Sequence, residues 1–185
     1  MLRWCSPKNL IGDDIDEKCI SICRDAMPYG TFVKSDVEPP LPFQAGSFDI
    51  VYAYSVFSHL AQNASYKALF ELARVLKPGG LAIFTTLKRA HLGVWQAQLN
   101  GDSHFFRVYL ARAGFDYALW QKRAYRGEFL YVPTGGGDIR ADSFYGEAVI
   151  TRRHLEIVAK GLGFRVQSFE EELPMPQSFV VLQRE

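Results

Sequence analysis

Hydrophobic and polar positions follow two different rhythms along the first ninety residues. Four short apolar runs have the length and the residue types of strands, and two longer stretches repeat apolar residues three and four positions apart, as amphipathic helices do. The predicted strands are residues 10–11, 31–35, 47–57 and 81–87, and the predicted helices are residues 17–27 and 65–76. Strands that alternate with helices predict a parallel sheet with right-handed crossovers.

The run at 47–57, S-F-D-I-V-Y-A-Y-S-V-F, is apolar at nearly every position. Such continuity predicts a strand that is buried on both faces, as in the middle of a parallel sheet. The helix at 65–76 is expected to end at Pro78-Gly79-Gly80, with Lys77 placed favourably at its carboxyl end.

Regular patterning returns near the end of the chain. Thr151 is a predicted helix cap, and the apolar residues that follow it share one helical face. Residues 164–169 and 178–182 have the pattern of two strands joined by an acidic, proline-containing turn, which predicts an antiparallel hairpin at the sheet edge.

Residues 88–147 interrupt the alternation and are predicted to be a helical insertion. Nine aromatic residues lie between 105 and 131, about a third of all those in the chain. Because insertions above strand ends often bind the variable partner, this stretch is predicted to be a lid or substrate pocket, with Tyr109 and Trp120 as contacts. The alternative is that the rings form the small core of the insertion itself.

Composition narrows the class of protein. The 185 residues are 48% hydrophobic and carry a formal net charge of +1, which favours one globular domain and argues against a nucleic-acid partner. The sequence has no apolar run of membrane-spanning length and no signal-peptide pattern, and its three cysteines suit a reducing compartment. We therefore expect a cytoplasmic protein, without membrane association and without a metal site, because the histidines and cysteines lack metal-ligand spacing.

Candidate chemistry lies at the ends of three predicted strands. Asp14 follows the first strand, where a carboxylate can accept both hydroxyls of a ribose, and Asp36 follows the second, where with Val37 it suits an adenine amino group. Residues 54–56 end the third strand. Ligands of open α/β sheets bind beyond such ends, so a nucleoside lying across all three is the favoured interpretation. Each residue also has a plain structural interpretation, as a helix-start carboxylate, a turn former or a small strand-end residue.

Four segments together resemble the motifs of class I S-adenosylmethionine-dependent methyltransferases, in particular the bacterial small-molecule group. They are G-D-D-I-D (12–16), S-D-V-E-P-P-L-P-F (35–43), S-F-D-I-V-Y-A-Y-S-V-F-S-H-L (47–60) and E-L-A-R-V-L-K-P-G-G (71–80). The resemblance implies a doubly wound, Rossmann-like α/β fold with a mostly parallel sheet.

The resemblance also implies roles for individual residues, with S-adenosylmethionine as the cofactor. Asp14 and its neighbour Ile15 would hold the ribose, Asp36 and Val37 the adenine, and Tyr54, Ser55 and Val56 the sulfonium end. His59, at the start of the next helix, is the candidate general base, although a structural bond to backbone explains it equally well. Tyr145 and Glu147, in S-F-Y-G-E-A (143–148), are weaker candidates for substrate contacts.

One departure from the family pattern is large. The family's first strand and glycine-rich loop are not present ahead of Asp14, and no glycine precedes Gly12. Leu2-Arg3-Trp4-Cys5 looks like the tail of the helix that normally follows that loop. A late gene start, a fragment and a non-catalytic relative all explain this, and each predicts weak binding of S-adenosylmethionine by the chain as written.

The sequence therefore predicts one methyltransferase-like domain over residues 1–185, acting on a small molecule. Two rivals remain: a non-catalytic binding or scaffolding relative, and a nicotinamide-dependent oxidoreductase, which shares the ribose carboxylate. The acceptor atom, the substrate and the oligomeric state are not encoded in any pattern that we identify.

Overall fold

The computed structural model describes residues 6–37, 39–101, 104–137 and 139–185, with the side chains of 104 and 105 excepted. The chain forms two compact units, Met1–Phe43 and Gln44–Glu185. The predicted helix tail at residues 2–5 lies outside the described residues. Within the described ranges, no helix combines the length and apolar character that crossing a bilayer requires.

The first unit is a strand–helix–strand crossover. It contains a short 3-10 helix (Pro7–Asn9), β1 (Ile11–Asp14), α1 (Glu17–Ala26) and β2 (Thr31–Lys34), and β1 pairs with β2 in parallel. Asp16 caps α1, because its carboxylate accepts a hydrogen bond from the Lys18 amide at 2.9 Å. Ile20, Cys23 and Ala26 have the spacing of one apolar face on α1; Ile20 is buried, Cys23 is half-buried and Ala26 is exposed.

The second unit contains the remaining elements. In chain order they are β3 (Phe48–Ala53), α2 (Gln62–Val75), β4 (Leu76–Leu87), α3 (His91–Asn100), α4 (His104–Arg112), α5 (Tyr117–Tyr125), β5 (Leu130–Val132), β6 (Glu147–Val149), α6 (Arg152–Gly161), β7 (Phe164–Glu170) and β8 (Gln177–Arg184). Four strands form a sheet in the order β3-β4-β8-β7, while β5 and β6 form a separate antiparallel pair.

The predicted crossovers and the closing hairpin are confirmed. β3 and β4 are parallel, and β8 runs antiparallel between β4 and β7, which puts β7 at the sheet edge. Thr151 caps α6 through a hydrogen bond from the His154 amide to its hydroxyl at 3.3 Å. Buried residues of α2 and α6 pack on one face of this sheet, and α3, α4 and α5 enclose a second apolar cluster with β5 and β6.

The prediction that β3 is buried on both faces is wrong. Val51 and Ala53 face the core, whereas Ile50 is 57% and Tyr52 44% exposed. The cause is that β3 is an end strand of the four-stranded sheet, whose other face carries no comparable helical layer among the described residues of this unit. The strand also ends at Ala53, so that residues 54–56 form a turn rather than its last residues.

The predicted end of α2 also needs correction. The helix ends at Val75, three residues before Pro78, because the chain turns directly into β4 there. Gly46 and Ser47 donate their amides to the carbonyls of Arg74 and Val75, which satisfies helix-end acceptors with backbone. Lys77 therefore does not lie in the helix; its ammonium contacts Asp49 on β3 at 2.8 Å.

Candidate functional site

The turn that follows β3 holds a residue in a rarely populated conformation. Ser55 has a φ of 58°, in the left-handed region that non-glycine residues seldom adopt, at a cost of about 1–3 kcal/mol. Its amide donates to the hydroxyl oxygen of Thr85 on β4 at 2.8 Å. Surrounding structure therefore fixes this turn at the carboxyl end of the strand, where α/β folds bind ligands.

A buried polar cluster surrounds Ser55. Thr85 donates its hydroxyl to the side-chain oxygen of Gln177 on β8, and the Gln177 amide nitrogen donates to the Ser55 hydroxyl at 2.9 Å. Ser58 lies within the same cluster, 3.3 Å from Ser55 Oγ and 3.4 Å from Gln177 Nε2. Ser58 and Thr85 are fully buried, and Gln177 is 7% exposed. Every polar group named here finds a partner inside the protein, as buried polar groups require.

His59 follows this turn and is anchored by residues from the far side of the sequence. Its Nδ1 donates to the Gly146 carbonyl at 2.8 Å, and its own carbonyl accepts from the Gly146 amide at 2.8 Å. The ring stacks on Tyr145, with centroids 5.0 Å apart and an interplanar angle of 10°. Since a carbonyl can only accept, Nδ1 must carry the proton, which leaves Nε2 as the acceptor in the neutral imidazole.

Gly146 is the residue that permits this close approach. A Cβ atom built on it would lie 2.2 Å from the Val132 carbonyl oxygen and 2.9 Å from the Tyr131 ring. No side chain fits at such distances, so glycine is required for the 143–148 segment to reach His59.

Burial, together with the nearby charge of Asp142, raises the pKa of Tyr131 to about 12, so its hydroxyl stays protonated and donates to the Asp142 carbonyl at 2.8 Å.

Glu147, next along this segment, has two partners on α3. The Trp95 indole donates to its carboxylate, and His91 Nε2 lies 3.4 Å from the same carboxylate oxygen. Burial by itself would raise the pKa of Glu147, but its contacts with His91 and Trp95 and the charge of His59 outweigh burial and lower that pKa. Glu147 is therefore ionised at neutral pH, with 24% of its side chain exposed.

In the first unit, the predicted carboxylates follow two paired strands. Asp14 ends β1, and one of its carboxylate oxygens accepts the Asp16 amide at 2.8 Å, which leaves the other without a hydrogen bond from the described residues. Asp36 and Val37 follow β2 and are both exposed, and Ile15 is half-buried. Asp13 points elsewhere: it accepts the Ser35 hydroxyl at 3.0 Å, and burial raises its pKa.

The remaining predicted residues divide between surface and core. Tyr54 is 52% exposed and Val56 is 45% exposed, so both residues are accessible to a ligand. Tyr109 is half-buried on α4, whereas Trp120 on α5 is 2% exposed and packs edge-on against Trp95 and Phe115. The buried position of Trp120 favours the alternative interpretation of the aromatic stretch, in which its rings form a core.

Sequence reasoning missed Thr85, Ser58, Gln177, His91 and Trp95. A signal existed for Thr85, because the polar pair Thr85-Thr86 interrupts the apolar strand L-A-I-F-T-T-L, and two fully buried hydroxyls in such a strand require partners. Gln177 offered a weaker signal, as a polar residue at the head of an apolar strand. For His91 and Trp95 there was none, since their partner Glu147 is more than fifty residues away.

Comparison with known sequences finds methyltransferases. Residues 1–84 match the family described as Methyltransferase domain. A curated relative, phthiotriol/phenolphthiotriol dimycocerosates methyltransferase 1 of Mycobacterium ulcerans (strain Agy99), is 35% identical over 105 residues, which are 55% of this chain and 38% of the relative. The chain thus spans well under half the length of that protein.

Solved structures with the same fold include two methyltransferases. A S-adenosylmethionine-dependent methyltransferase of Methanosarcina mazei aligns with a TM-score of 0.60 and 16% identity, covering 94% of this chain and 81% of its own. The 1,6-didemethyltoxoflavin-N1-methyltransferase of Burkholderia thailandensis, solved with 1,6-didemethyltoxoflavin and S-adenosylhomocysteine, aligns with a TM-score of 0.54 and 11% identity, covering 95% and 61%. The predicted fold class is thereby confirmed.

Proposed function

We propose that this chain, which has the class I S-adenosylmethionine-dependent methyltransferase fold and a match to the methyltransferase-domain family, methylates a small molecule with S-adenosylmethionine as donor. The observation that carries the proposal is Ser55, held in a left-handed conformation at the carboxyl end of β3 by bonds to β4 and β8. Strain that the surrounding structure enforces at a strand end is characteristic of ligand-binding sites. The names of the two relatives describe methyltransferases that act on small molecules.

The residues of the first unit suit the adenosine part of the cofactor. Asp14 offers a carboxylate oxygen to the ribose hydroxyls, with Ile15 beside it. Asp36 and Val37 are exposed after β2, where a carboxylate and a backbone amide match the donor and acceptor edge of adenine. In the second unit, residues 54–56 are proposed for the sulfonium end.

His59 is proposed as the base for acceptors that must lose a proton. The bound cofactor supplies the electrophilic methyl group, so the protein contributes alignment, exclusion of water and, for a hydroxyl acceptor, proton removal. His59 Nε2 is the ring atom left with a free lone pair, because Nδ1 is committed to Gly146. Stacking on Tyr145 fixes the ring plane, which holds that lone pair in one direction.

Substrate contacts are proposed for Tyr145 and Glu147, because both belong to the 143–148 segment and lie near His59. Tyr109 remains a candidate at the surface of α4. The proposed cofactor and acceptor are both small molecules, and the proposed location remains the cytoplasm.

An NMR titration of the full chain with S-adenosylhomocysteine tests this function, since it measures dissociation constants up to the millimolar range that we expect here. D14N and D36N should each weaken binding about tenfold through loss of a charged acceptor, whereas D25N, on the exposed face of α1, should leave it unchanged. Equal affinity in all three variants, or no binding to the wild-type chain, contradicts the proposal.

A second measurement separates the rival functions. Tighter binding of a nicotinamide dinucleotide, seen as enhanced fluorescence of its reduced form, would favour the oxidoreductase. Binding of S-adenosylhomocysteine without release of that product from S-adenosylmethionine, across hydroxyl, amine and thiol acceptors, would favour the non-catalytic relative.

A further inference from the structure

Gln177 closes a ring of hydrogen bonds around the strained turn. The ring runs from the Ser55 amide to Thr85 Oγ1, from the Thr85 hydroxyl to Gln177 Oε1, and from Gln177 Nε2 back to Ser55 Oγ. Its members come from three places: the turn after β3, the strand β4 and the first residue of β8. The C-terminal hairpin is thereby tied to a turn 122 residues earlier in the chain.

Each bond of the ring joins one donor to one acceptor. The Ser55 amide can only donate, so it occupies a lone pair of the Thr85 oxygen, and the Thr85 hydroxyl proton is then free to point at Gln177. The side-chain oxygen of Gln177 receives that proton, and its amide nitrogen faces Ser55 and Ser58. Both ends of the Gln177 amide are thus used, in one orientation.

Burial indicates that the side chain is there for its polar groups. Gln177 is 7% exposed, and its neighbours in this part of the sheet, Thr85 and Ser178, are fully buried. An apolar residue would fill such a position without the cost of burying an amide. What the amide adds is the pair of bonds to Ser55 and Thr85, both of which bear on the same turn.

We propose that Gln177 is a positioning residue: through Ser55 and Thr85 it holds the turn at 54–56 in the left-handed shape that the S-adenosylmethionine site uses. Its role toward the cofactor rests on the function proposed above. Its role toward the turn does not, because the ring of bonds is complete without a ligand. A turn that is fixed in advance spares the ligand the cost of ordering it.

The test uses two single variants, Q177L and T85V, and the double variant. T85V removes the acceptor of the Ser55 amide while keeping the shape of the side chain. Hydrogen exchange of the Ser55 amide is followed by NMR in the ligand-free chain, and affinity for S-adenosylhomocysteine is measured by titration. Each variant should speed exchange at Ser55 by about tenfold and weaken binding by a similar factor. Because both act on one ring, the double variant should add little to either single change.

Two further variants act as controls. T85S keeps the hydroxyl and should restore slow exchange, and Q183L makes the same substitution on β8 far from the turn, so it should change neither measurement. Unchanged exchange at Ser55 in both Q177L and T85V overturns the proposal, as does unchanged affinity in a chain whose wild type binds. Faster exchange in a chain whose wild type does not bind supports the role of Gln177 in the turn and counts against the proposed function alone. Should Q177L fail to fold, the difference between T85V and T85S still tests the same ring of bonds.

Discussion

His59 donates a hydrogen bond from Nδ1 to the carbonyl oxygen of Gly146, 87 residues further along the chain. Because a carbonyl can only accept, Nδ1 carries the proton of the neutral ring. Nε2 is then the ring nitrogen with a lone pair that can accept a proton. This is the orientation that the proposed role of His59 as a base requires. Tyr145, stacked on the same ring, fixes the plane of the imidazole.

The first prediction concerns that tautomer. In the neutral state, His59 should be protonated at Nδ1, because the Gly146 carbonyl accepts only from that atom. Long-range proton–nitrogen NMR spectra distinguish the two tautomers by their nitrogen shifts, and H59Q identifies the signals by their loss. Signals that show Nε2 protonated would contradict the arrangement and remove His59 as a candidate base.

The second prediction concerns Gly146. G146A should destabilise the protein by about 1–3 kcal/mol, because its methyl group would overlap the Val132 carbonyl, and it should also shift the His59 ring signals. Denaturant unfolding measures the first effect and NMR the second. G93A is the matched control: on the exposed side of α3 nothing lies within 4 Å of the added methyl, and a stabilisation of about 0.5–1 kcal/mol is expected. Equal effects of the two substitutions would refute the close approach at Gly146.

The third prediction concerns acid. Because the pKa of Glu147 is lowered in the folded protein, its ionised form stabilises the fold above the unfolded value of 4.5, and this contribution is lost as the pH falls through the lower folded pKa. E147Q should therefore unfold with a weaker pH dependence than wild type below about pH 4.5. Denaturant unfolding from pH 7 to pH 3 measures the difference. E156Q, in an exposed pair on α6, should follow the wild-type profile; if E147Q also follows it, the proposed contacts of Glu147 are absent.

The sequence was informative where local rules decide the structure. The cap at Thr151 and the helix at 152–161 depend on neighbouring residues, and so does the crossover from β1 to β2, and all were predictable. The exposure of Ile50 and Tyr52 was not, because an apolar run has the same pattern whether helices cover one face of the sheet or both. Which faces are covered is decided by long-range packing.

The candidate site divides along the same line. Ser55 was named from its position at the end of a predicted strand and His59 from the family resemblance, but their partners Gln177 and Gly146 come from segments about ninety or more residues away. No periodicity or spacing relates such residues, since only tertiary packing brings them together. The ribose and adenine roles of Asp14 and Asp36 remain predictions, which the S-adenosylhomocysteine titration tests.

The last prediction concerns Trp120 and decides between a pocket and a core for the aromatic stretch. Trp120 is buried against Trp95 and Phe115, so W120A should destabilise the protein by about 3–5 kcal/mol. Y125A, on the same helix, removes a ring that is 69% exposed and meets the Arg89 guanidinium at 4.6 Å, so it should cost less than about 1 kcal/mol. Denaturant unfolding of both variants compares the loss of stability when an aromatic ring on α5 is replaced by a methyl group. A small loss for W120A would mean that its ring is not part of a core, and would make Trp120 a candidate substrate contact again.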